Sequence, residues 1–105
     1  MNRTIKQLAA TEDRIYVYMA TKEIAKNFLR IAEEEGFKFG DGEKPTNRDC
    51  AEIMAVNADM TINYVGHIGT MAFQSGAKTI GEQRLIRIDF GKYIAGEPDY
   101  LYHKD

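Results

Sequence analysis

The sequence predicts an α+β fold: a mostly antiparallel sheet of about four strands with one long helix packed on one face. Three patterns predict it. Residues 14 to 19 alternate like a strand, with Ile15, Val17 and Met19 on one side and Tyr16 and Tyr18 on the other. Residues 22 to 35 repeat apolar side chains at helical spacing between a capping Thr21 and a terminating Gly36. Three further strand patterns follow, at 52 to 56, 61 to 65 and 85 to 90.

Along the chain, residues 1 to 13 read as a lead-in, helical or extended, in which Ile5 and Leu8 give a weak apolar pattern. The strand at Arg14 to Met19 has apolar or aromatic residues on both faces, which suits a place away from the sheet edge. In the long helix Ile24, Ala25, Phe28, Leu29, Ile31 and Ala32 make the core face. Glu33, Glu34 and Glu35 then read as a solvated helix end. Gly40 to Arg48 is a loop by its glycines, proline and Asx residues. Glu52 to Val56 and Thr61 to Val65 make an antiparallel hairpin around Asn57-Ala58-Asp59-Met60. A short helix is expected near 69 to 75, a loop over 76 to 83, a strand at Leu85 to Phe90 and one helical turn at Lys92 to Ala95. Residues 97 to 105 read as an exposed, mobile tail, with Tyr100, Leu101 and Tyr102 able to fold back.

The whole of residues 1 to 105 fits one domain, with 44% hydrophobic and 29% charged residues as in ordinary globular chains. Fourteen basic against sixteen acidic residues disfavour both a general nucleic-acid binder and a polyanionic DNA mimic. Cys50 is the single cysteine, so an intramolecular disulfide and a cysteine-based zinc site are excluded. No apolar run reaches membrane-spanning length and residues 1 to 10 lack a signal peptide's apolar core, so a cytoplasmic location is expected, with no membrane partner.

No motif specifies a catalytic site, a metal site or a cofactor, and none is expected. Gly40-Asp41-Gly42 is either a plain turn or a ligand loop, with Asp41, Lys44, Thr46 and Arg48 as its polar groups. Gly66-His67-Ile68-Gly69-Thr70 leaves a strand and opens a helix, where backbone N–H groups, His67 and Thr70 are candidate donors. A hydrolase using His67 with Asp41 or Asp89 has little to support it, since no nucleophile accompanies the histidine. Arg87 and Asp89 read as neighbours or an ion pair on an exposed strand face. Six tyrosines leave two placements open for Tyr16 and Tyr18: outward, able to stack a base or meet a partner, or inside a second small core under the tail.

The run from Thr4 to Phe73, with Gly40-Asp41-Gly42, Lys44-Pro45-Thr46 and Tyr64-Val65-Gly66, resembles short proteins of phages and mobile elements in Gram-positive bacteria. Arg87-Ile88-Asp89-Phe90-Gly91-Lys92-Tyr93-Ile94 shares the resemblance. It implies an accessory protein that antagonises host immunity, such as an anti-CRISPR inhibitor bound to an effector protein like Cas9. The alternative reading is a protein that sequesters a signalling nucleotide, with Lys44, Thr46, Arg48 and the 66 to 70 turn on the phosphate and a tyrosine on the base. A homodimer is compatible with either. The loops at 40 to 48 and 66 to 70, and not the long helix, are the expected binding side.

Overall fold

The computed structural model describes residues 3 to 103. Helix α1 (Ile5–Ala9) leads into strand β1 (Arg14–Tyr18) and the long helix α2 (Lys22–Glu35). Strand β2 (Lys38–Phe39), a 3-10 turn (Pro45–Asn47), and strands β3 (Ile53–Val56) and β4 (Thr61–Tyr64) follow. Helix α3 (His67–Ser75), strands β5 (Thr79–Ile80) and β6 (Gln83–Asp89) and helix α4 (Phe90–Ile94) complete the chain. The fold is α+β, but the sheet is mixed and has six strands in the order β2-β4-β3-β1-β6-β5, and four helices accompany it among the described residues. That corrects the expectation of four mainly antiparallel strands and a single long helix. Strand β1 pairs antiparallel with β3 but parallel with β6, Val17 lying opposite Met54 and Ile88. Strand β2 runs parallel to β4.

The elements form where their residues dictate. Thr21 accepts the Ile24 N–H at 3.1 Å and so caps α2, while Gly36 takes φ 96° and closes the helix through the Ala32 and Glu33 carbonyls. The alternation of β1 sorts its side chains into two cores. Ile15, Val17 and Met19 join Phe28, Leu29, Ala32, Met54, Ile62 and Phe90 under α1, α2 and α4. Tyr16 lies on the opposite face with Ile53, Phe73 and Leu85, covered by α3.

The three glutamates that end α2 do more than meet water. Glu35 accepts the N–H groups of Ile5 and Lys6 at 2.9 and 2.8 Å, adding to the Thr4 to Gln7 capping box at the first turn of α1. Glu33 takes both the hydroxyl and the N–H of Thr46, at 2.7 and 3.2 Å. The lead-in, from Arg3 on, is thereby fastened to the body: Ile5 is fully buried, and the Tyr93 hydroxyl donates to the Thr4 carbonyl at 2.6 Å. The tail returns to the edge of β6, where Asp89 donates its N–H to Tyr100 and Tyr102 donates to Arg87. Residues 1, 2, 104 and 105, part of the expected mobile ends, lie outside the described residues.

Candidate functional site

The loop from Gly40 to Arg48 is tied together by its own side chains. Asp41 accepts the Glu43 N–H in an Asx turn and holds the Arg48 guanidinium in an ion pair. Arg48 holds the Asp41 carboxyl below the usual carboxylate range and is itself pushed up by the same contact. The Arg48 guanidinium also lies 4.8 Å from the centre of the Phe39 ring. Thr46 is spent on Glu33, and Lys44 opens the 3-10 turn with an exposed side chain.

The turn from Gly66 to Thr70 is the first turn of α3, which begins two residues earlier than its spacing suggests. Thr70 donates its N–H to Gly66 at 2.8 Å and His67 stands exposed. Gly69 does not open the backbone to a partner. A Cβ there would meet Val65 Cγ1 at 2.5 Å and the Tyr16 hydroxyl at 3.0 Å, so the glycine lets α3 lie flat on the sheet.

The two loops leave the same end of the sheet, because β2 and β4 run parallel, and Tyr64, just before Gly66, donates its hydroxyl to the carbonyl of Asp49, just after Arg48, at 2.6 Å, but they pack against different neighbours. The 3-10 turn packs on α2, while α3 packs on the other face of the sheet, over Tyr16. The hydrogen bonds of each loop run within it and to different neighbours. Tyr16 is 5% exposed, and Tyr18 lies against Phe73 and Tyr102, the latter ring 4.7 Å away. These tyrosines belong to the second core and present no outward stacking platform. Arg87 donates to the Phe73 carbonyl at 2.9 Å and lies 5.5 Å from the Phe73 and Tyr102 ring centres, so it is not the partner of Asp89. Asp89 instead caps α4 through the Lys92 N–H. Both carboxylates once eligible to pair with His67 are thus committed elsewhere. Among the described residues no group of three or more His, Cys, Asp or Glu side chains is placed to hold a metal ion, and no helix is long and apolar enough to cross a membrane.

Two surfaces remain that the residue patterns did not single out. The first is the outer side of α3, where Ile68 is 79% exposed and Met71, one turn on, is 56% exposed. The sequence signal was available: His67 to Ser75 carries more apolar residues than one buried stripe needs, and only Phe73 of them is fully buried. The second is an open groove of about 660 Å³ between α2 and residues 46 to 50. Lys22, Ala25, Lys26 and Leu29 line it from the helix, and Thr46, Arg48, Asp49 and Cys50 from the opposite wall. The contrast between a loop side and a helix side therefore dissolves at this point, since Arg48 and Lys26 share one groove. Comparison with family models, curated proteins and solved structures finds no match to this chain.

Proposed function

We propose that this protein is a non-catalytic binding protein that inhibits a bacterial defence system by direct contact with an effector protein, Cas9 being the first candidate. The outer face of α3 makes the contact. The observation that carries this reading is the exposure of Ile68 and Met71 on a helix without a single Lys, Arg, Asp or Glu. Moving each of these side chains out of water is worth about 1.5–3 kcal/mol, and an apolar partner surface supplies that burial. Methionine adds an adaptable contact that suits an irregular partner. His67 and Thr70, expected from the sequence to contribute, border the same face with polar groups for its rim. The resemblance to short phage and mobile-element proteins supplies the defence context.

The nucleotide alternative draws less support, because Thr46 and Arg48 are already engaged by Glu33 and Asp41, and Tyr16 and Tyr18 are packed in the second core. The test is co-elution of the purified chain with Cas9 and other defence effectors, followed by a plaque assay on a host carrying the matching system. Co-elution with one effector and restored plaque formation support the reading. Absence of both across the effectors tried overturns it.

A further inference from the structure

We propose that the groove between α2 and residues 46 to 50 binds a small organic anion, its phosphate or carboxylate held by Lys22, Lys26 and Arg48 and its apolar body laid along Ala25 and Leu29. Three cations line this groove against one carboxylate, that of Asp49. Lys22 and Lys26 stand one helical turn apart on α2, where like charges repel. Neither makes an ion pair or a side-chain hydrogen bond among the described residues. An anion between them removes that repulsion and gains two charge-assisted hydrogen bonds.

Arg48 on the facing wall is already oriented by Asp41 and by the Phe39 ring, so little side-chain entropy is lost when it meets a ligand. Its remaining N–H groups keep donor capacity, because the guanidinium has five. The other acidic neighbours do not line the groove: Glu33 bonds Thr46 and Asp41 pairs with Arg48 from behind its wall, Glu23 borders the far side of Lys26 with Asn27 and Arg30, and Glu52 lies beyond Cys50. The floor is apolar. Ala25 and Leu29 are core residues whose edges reach the groove, and the Cys50 thiol donates to the Ala51 carbonyl. A volume of about 660 Å³ suits a molecule of the size of a mononucleotide or a medium-chain fatty acid. The inference is independent of α3, which lies on the other face of the sheet.

The experiment is an amide-resolved NMR titration of the full chain with inorganic phosphate, adenosine monophosphate and decanoate, repeated with the exposed pair changed as Lys22→Gln with Lys26→Gln. Expected are saturating shifts at residues 22 to 29 and 46 to 50 with adenosine monophosphate, which assigns a phosphate ligand, or with decanoate, which assigns a carboxylate. Inorganic phosphate, lacking the apolar body, binds at least about tenfold more weakly. The double variant weakens the organic probe by about tenfold or more, while Ile68→Asp leaves it unchanged. No saturating shift with either organic probe at about 10 mM, roughly the weak end of specific binding, overturns the proposal. So does undiminished binding in the double variant, or equal affinity for inorganic phosphate.

Discussion

At the scale of single residues, Gly69 shows how a side chain's absence builds a surface. Its hydrogen is the only substituent that fits against Val65 and the Tyr16 hydroxyl. Gly69→Ala is expected to destabilise the protein by about 1–3 kcal/mol through overpacking, read as a lowered denaturant midpoint. An unchanged midpoint would mean that α3 does not lie against Tyr16 as described. Cys50 illustrates burial acting on chemistry. Desolvation pushes its thiol up to about 12, so the thiolate is scarce at neutral pH. Native protein at pH 8 should react with iodoacetamide more than about tenfold slower than the same chain in denaturant, followed by mass spectrometry. Equal rates would contradict the placement of Cys50.

The carboxylates give a pH dependence of definite sign. Arg84 holds the Asp13 carboxyl below its ordinary value of 3.8, Arg48 does the same for Asp41, and the Thr46 hydroxyl holds Glu33 below 4.5. A carboxyl lowered in the folded state stabilises it at pH above the ordinary value and loses that contribution as pH falls through the lowered one. The melting temperature should be flat above about pH 5 and decline below about pH 4, with a shallower decline in Asp13→Asn and Asp41→Asn. A melting temperature that rises on acidification would contradict the assignment. Asp41 is exposed and Asp13 and Glu33 are only half-buried, so the effect of each is small.

At the scale of elements, what was legible depended on whether an element's cause is local. Helix α2 matches its expected span of 22 to 35 because its cap, its apolar face and its terminating glycine are all neighbours in sequence. Strand β1 and the hairpin of β3 and β4 were legible through alternation and turn chemistry. Strands β2 and β5 were not, since each has two residues and exists by pairing with a distant or adjoining strand. Helix α1 was ambiguous because it has five residues: its Thr4 to Gln7 capping box is local, but the acceptor for its Ile5 and Lys6 N–H groups is Glu35, about thirty residues away. Glu35→Ala removes the acceptor of the Ile5 and Lys6 N–H groups and should cost about 0.5–2 kcal/mol, with faster amide exchange at those two residues than at α2. Unaltered exchange at those two amides would show that α1 is held by packing and the Thr4 to Gln7 capping box without Glu35.

At the scale of the whole molecule, the strand order could not be read from local pattern, because the parallel pairing of β1 with β6 joins segments about seventy residues apart. That pairing decides the candidate surfaces. It sets α3 on the face opposite α2 and places Tyr16 and Tyr18 inside the second core, while the parallel pairing of β2 with β4 brings the two loops to one end of the sheet. Thr46, Asp41 and Arg48 were legible as a polar cluster, yet their first partners are each other and Glu33. The surplus of apolar residues in α3 was legible, but which of them face outward, Ile68 and Met71, depended on which side of the helix is buried.

Docking through α3, as proposed, can be decided by one comparison of affinities. Binding to the effector that co-elutes with the wild-type chain is measured by calorimetry for two folded variants, Ile68→Asp with Met71→Asp and Lys44→Ala with Arg48→Ala. The α3 variant is expected to lose at least about a hundredfold in affinity, the cost of placing two charges in an apolar contact, while the loop variant stays within about threefold of wild type. Wild-type affinity in the α3 variant, with its helix content intact by circular dichroism, would contradict it.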